Sequence, residues 1–121
     1  MDRTLYNSYI SILNEELVPA MGCTEPIAVA YAAAIAAENL GILPQKTEIC
    51  VSANIIKNVK SVVVPNTGGL RGLAAAAAAG IVAGNASREL EVIASVSMKS
   101  AQRSPLIWSR RNLLFRNPIP V

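Results

Sequence analysis

Cys23 is the residue with the clearest chemical potential. It lies in Gly22-Cys23-Thr24-Glu25-Pro26, directly ahead of a helix expected to begin at Pro26, because proline suits the first helical position. Thr24 or Glu25 could cap that helix. A thiol beside a helix amino terminus meets partial positive charge and unpaired N–H groups. Both favour the thiolate, the form that binds metal or attacks carbon. Local physics also allows an ordinary small thiol with no role. Cys50 sits in the expected strand around Ile49-Cys50-Val51, where apolar burial would leave it inert.

Two further segments carry polar groups at close spacing. Ser52–Lys60 places Asn54, Lys57, Asn58 and Lys60 together, suited either to holding a substrate amine or carboxylate or to a solvated loop. The Pro65-Asn66-Thr67-Gly68-Gly69-Leu70-Arg71-Gly72 run precedes an alanine-rich helix. Its glycines let backbone N–H groups converge on a small anion, the helix terminus adds its dipole, and Arg71 could pair with a carboxylate. A tight turn demanded by packing fits the same glycines. GxxxxGK[ST] is absent, so this is not a P-loop. The chain has no histidine, which excludes a Ser–His or Cys–His nucleophile system and a His-ligated zinc within it.

Positioning these residues requires helices and a few short strands. Leu5, Tyr9, Ile12, Leu13 and Leu17 share one face at helical spacing, which predicts an amphipathic helix over 4–17 closed by Pro19. A second helix runs from Pro26 and stops at Gly41; it is apolar nearly all round and should be buried. A strand is expected over 47–53, with Asn54–Lys60 a helical turn or a bend. The run 61–64 is short and β-branched. A third helix covers 73–84, where Gly80 and Gly84 permit close helix contact. Residues 89–97 alternate well enough for a strand. The fold class is therefore α-rich α/β: alanine-rich helices packed with a few short strands, as one partial domain.

Composition agrees. The 121 residues are 52% hydrophobic but only 4% aromatic, which favours closely packed helices over a β-sandwich. The net charge of +3 is unevenly placed. Residues 1–97 carry six basic and eight acidic side chains, and residues 98–121 carry five basic and none acidic. A mildly acidic body argues against a nucleic-acid footprint. Residues 98–121 also hold the single Trp and Phe and show no clear period. They read as an atypical basic tail, either frame-shifted or disordered, after an amino-terminal segment 1–97. No secretory signal is expected in residues 1–17, and no apolar run approaches the roughly 20 residues of a membrane span. The expectation is a reduced, cytoplasmic chain with no membrane or nucleic-acid partner. Self-association is expected where the apolar helix 26–40 is left uncovered.

Three segments, 22–34 (GCTEPIAVAYAAA), 52–69 (SANIIKNVKSVVVPNTGG) and 70–84 (LRGLAAAAAAGIVAG), resemble L-cysteine desulfidases, which in turn look like the alpha part of iron–sulfur L-serine dehydratases. The resemblance covers about residues 5–97. It implies a carbon–sulfur or carbon–oxygen lyase that uses a [4Fe–4S] cluster held by three cysteines, with one iron acting as a Lewis acid on the β-leaving group. The reaction implied converts L-cysteine to pyruvate, ammonia and sulfide; L-serine is the alternative substrate. Cys23 matches the family's amino-terminal cluster cysteine. Asn54, Asn58, Asn66, Thr67 and Gly68 match segments expected to bind substrate, and Lys57 is the candidate catalytic residue. Family members are several times longer, and their other cluster cysteines lie beyond the matched region. The chain therefore reads as a fragment, expected to be inactive alone. A non-catalytic domain that binds a small carboxylate, or serves in assembly, is the alternative from another class.

Overall fold

The computed structural model describes residues 2–96 and the backbone of 113–116. In chain order the elements are α1 (Arg3–Glu16), α2 (Thr24–Leu40), β1 (Thr47–Cys50), α3 (Ala53–Val59), α4 (Gly72–Ala83), a 3-10 helix (Ala86–Glu91) and β2 (Leu113–Arg116). The expected α-rich α/β class is what is observed.

The core is the seam between α2 and α4. Ile27, Ala30 and Ala34 from one helix meet Ala75, Ala76, Ala77 and Ala79 from the other. Small side chains let the two backbones approach closely. A Cβ at Gly80 would fall on the carbonyl oxygen of Ala30, and one at Gly84 would lie 2.7 Å from Ala34 Cβ. This contact requires glycine at both positions, as the spacing of Gly80 and Gly84 anticipated. Val59 from α3, Val64, Val92 and Ile93 are buried with them. Burying a side chain such as Ile27 contributes about 1.5–3 kcal/mol each.

α2 begins two residues earlier than expected. Cys23 is its N-cap, and Pro26 lies inside the first turn, where a missing N–H costs no helical hydrogen bond. Gly41 closes the helix in the left-handed conformation. The strand expected over 47–53 is shorter. It stops at Cys50, because Ser52 turns outward and its Oγ accepts a hydrogen bond from the N–H of Ile55, starting α3. The ambiguous segment 54–60 is thereby helical over most of its length.

The strand expected over 89–97 is not formed. Asn85 Oδ1 accepts from the N–H of Ser87, and the Asn85 N–H donates to the Val92 carbonyl, winding the chain into the 3-10 helix and a following turn. Val92, Ile93 and Val96 are all buried, a spacing that suits turns and not a half-buried strand, whose buried residues would fall on alternate positions. The Glu38 carboxylate accepts from the N–H of Ala86 at 2.8 Å and fastens this segment to α2.

β1 and β2 form a two-stranded parallel sheet, with Thr47 opposite Leu113 and Cys50 opposite Arg116. The expectation of a frame-shifted or disordered tail concerns residues that, apart from 113–116, lie outside those described. Within β1, Thr47 and Ile49 are half-buried while Glu48 and Cys50 are exposed. Cys50 is thus not the buried thiol its apolar neighbours suggested. The two-residue period of the strand turns it to the outer face with Glu48.

Candidate functional site

Three segments lie near the amino end of α2. The first is the turn carrying Gly22 and Cys23. Gly22 has φ +85°, a conformation that strains any residue with a side chain, and a Cβ there would contact Pro65 Cγ at 3.6 Å. Met21 donates its N–H to the Leu90 carbonyl at 3.2 Å, which pins the turn to the 3-10 helix. Cys23 is exposed, and its side chain makes no capping hydrogen bond. It stands at the amino terminus of α2, where the first N–H groups have no intrahelical partner.

The second segment is α3. The Asn58 amide Nδ2 donates to Glu25 Oε1 at 3.3 Å, across the gap between α3 and the first turn of α2. The other oxygen of Glu25 accepts from Thr24 Oγ1 at 3.4 Å. Asn58 is therefore held two residues along α2 from the cysteine. Asn54 and Lys57 share its short helix, and both are exposed.

The third segment is the loop 61–71. Val64 N–H donates to the Leu70 carbonyl at 2.9 Å, and Val63 bridges Arg71 in antiparallel fashion, closing a compact turn. Asn66 adopts φ 60°, and its amide donates to the carbonyls of Ile93 at 2.9 Å and Ala94 at 3.2 Å. Thr67 is 5% exposed, and its hydroxyl donates to the Val64 carbonyl at 2.7 Å. Gly68 is exposed in the same turn. Arg71 Nη1 donates to the Ser61 carbonyl at 2.6 Å. The side chains of Asn66, Thr67 and Arg71 thus bind the chain itself and close the loop.

The expected site residues divide accordingly. Asn58 is tied to Glu25, two residues from Cys23, and Pro65 lies beside Gly22. Glu25 was read from the sequence only as a capping residue. Its bridging role joins positions 33 residues apart, a separation with no local spacing signal. Cys50 lies apart, on the wall of a cavity of about 250 Å³ between β1 and α2 that Ala33, Ala36 and Ala77 also line.

Cys23 suits one position of a thiolate-ligated group, being exposed and free of a capping role. Among the described residues no group of three or more His, Cys, Asp or Glu side chains is placed to hold a metal ion. No helix among the described residues is long and apolar enough to cross a membrane.

The chain is 62% identical over 98 residues to a UPF0597 protein of Desulfitobacterium hafniense, a match covering 81% of this chain and 23% of the relative. Its close homologues are UPF0597 proteins. A second, from Treponema denticola, is 53% identical over 97 residues, covering 80% of this chain and 22% of the relative. A third, from Shewanella putrefaciens, is 52% identical over 104 residues, covering 85% and 24%. The chain spans about a quarter of the length of the curated relatives it matches. UPF0597 is a family of unknown function, and the name carries no activity. No family model and no solved structure matches the chain.

Proposed function

We propose that this chain supplies the amino-terminal part of an iron–sulfur lyase of the L-cysteine desulfidase type, which eliminates sulfide from L-cysteine to leave pyruvate and ammonia. The observation that carries this reading is the convergence at the amino end of α2. Two of the segments that resemble such enzymes, 22–34 and 52–69, are separated in sequence, yet Gly22 lies beside Pro65 and Asn58 donates to Glu25, 33 residues away. In this reading Cys23 is one of three cysteine ligands of a [4Fe–4S] cluster, the others belonging to the longer polypeptide that the relatives possess. Asn54 and Asn58 face an amino-acid substrate from α3, and Lys57 is the catalytic residue of that helix. The Asn66–Gly68 turn shapes the floor of the site through its backbone, because its side chains are committed to closing the loop.

The test is a chimera in which residues 2–96 replace the matched segment of the Desulfitobacterium hafniense relative. Reconstituted anaerobically with iron and sulfide, the chimera should show iron–sulfur absorbance and release sulfide from L-cysteine. Cys23→Ser should lose both. A Cys23→Ser chimera that keeps its cluster and its turnover overturns the assignment, as does an intact chimera that gains neither. L-Serine offered in the same assay separates the dehydratase alternative. The 121-residue chain by itself should hold no stable cluster, and a stable brown product with turnover would contradict that expectation.

A further inference from the structure

The Asn58 amide is turned by the group it meets. An ionised carboxylate accepts hydrogen bonds and donates none, so an amide facing Glu25 presents its nitrogen. Asn58 Nδ2 donates to Glu25 Oε1 at 3.3 Å, and the Thr24 hydroxyl donates to the other carboxylate oxygen at 3.4 Å. Glu25 is half-buried in the first turn of α2, while Asn58 is exposed. Nδ2 and Oδ1 lie on opposite sides of a planar amide. With Nδ2 on Glu25, Oδ1 is the atom turned away from it, and among the described residues it has no hydrogen-bond partner. Asn54 stands one helical turn before Asn58 on the same face of α3.

We propose that Asn58 Oδ1 is the acceptor for the α-ammonium of an amino-acid substrate, and that Glu25 is the positioning residue that commits it to this role. The inference rests on the reading above in which α3 faces such a substrate. An amide free to turn over serves a carboxylate with its nitrogen or an ammonium with its oxygen, and so selects neither. Held by Glu25, Asn58 leads with its oxygen on the side away from the carboxylate. An ammonium N–H on that oxygen forms a charge-assisted hydrogen bond, which is stronger than a neutral one. A carboxylate in the same place sets oxygen against oxygen and is repelled. The negative charge of Glu25, behind the amide, favours the same cation. Asn58 thus selects for the amine of the substrate, and the substrate's own carboxylate falls to other groups.

The experiment is calorimetric titration of the reconstituted chimera with L-alanine and with propionate, which differ only in the α-ammonium. L-Alanine has no β-leaving group, so its binding is read without turnover. Circular dichroism verifies the fold of each variant. L-Alanine should bind about tenfold more tightly than propionate, the worth of one hydrogen bond to a charged group. Asn58→Ala should erase this preference by weakening L-alanine alone, whereas a purely structural loss would weaken both compounds. Glu25→Ala, which frees the amide to turn, should remove most of the preference. Glu25→Gln keeps an oxygen for Asn58 Nδ2 and should hold the preference within about threefold of the parent, the remainder being the lost charge. A parent chimera that binds neither compound, or binds both alike, overturns the proposal. A preference indifferent to Asn58→Ala overturns it too, as does a Glu25→Gln loss equal to that of Glu25→Ala, which would make charge and not placement the cause. Sulfide release from L-cysteine separates this outcome from that of the lyase reading. A chimera that prefers L-alanine as described yet releases no sulfide sinks the lyase reading alone, and one that releases sulfide with no dependence on Asn58 sinks this inference alone.

Discussion

The α2–α4 pair and α1 both present apolar faces, yet they are treated in opposite ways. The seam between α2 and α4 is built from alanine and glycine, and most of it is buried. α1 carries leucine, isoleucine and tyrosine, and none of them is buried. α2 and α4 are also the more apolar helices overall, but side-chain size does not decide which helix enters the core. Backbone approach decides it: alanine faces with Gly80 and Gly84 at the crossing fit one another without gaps, and density of packing supplies what side-chain size does not. α1 has large side chains but no matching surface within the described chain.

This contrast can be broken at several points. The largest effect belongs to Ile27→Ala, which empties a fully buried position in a core otherwise made of small residues. It should cost about 3 kcal/mol in urea denaturation. Gly80→Ala comes next. Alanine gains about 1 kcal/mol of helix propensity, but its methyl group collides with the Ala30 carbonyl, and forcing the helices apart costs up to about 3 kcal/mol. The net change should be a loss of about 2 kcal/mol, seen as a lower midpoint with an unchanged slope. A variant more stable than the parent would show that the helices separate freely. Thr67→Val removes the hydroxyl that satisfies the Val64 carbonyl and should lower the stability by about 1 kcal/mol in the same measurement. Leu13→Ala should be the smallest, within about 0.5 kcal/mol in dilute monomer. A loss comparable with that of Ile27→Ala would place α1 in the core and dissolve the contrast.

Much of the helical framework was legible in the residue pattern. The extent of α1 followed from the spacing of its apolar residues, and the end of α2 from Gly41. The crossing of α4 on α2 was foreshadowed by Gly80 and Gly84. Short elements were less legible. Val92, Ile93 and Val96 resemble a strand by composition, but Asn85 winds the preceding chain through two local hydrogen bonds. Cys50 has apolar neighbours on both sides, and its exposure depends on which face of β1 turns outward. At the candidate site, residue types marked Cys23 and the polar run of α3. The bridge from Glu25 to Asn58 depends on tertiary placement and leaves no trace in spacing. Asn66 and Thr67 have side chains suited to a ligand, but two carbonyls and a turn claim their hydrogen bonds first.

The parallel pairing of β1 with β2 bears on the order of events during synthesis. Thr47 pairs with Leu113, a partner more than half the chain further on. On the ribosome, α2, α3 and α4 are complete before that partner exists. The α2–α4 seam can therefore condense while β1 still has an open edge. Joining residues so far apart carries a large loop-closure cost until the intervening chain has compacted. The sheet is then a late fastening on a helical body already assembled, and the interval before it closes is when the edge of β1 is most open to pairing with another chain.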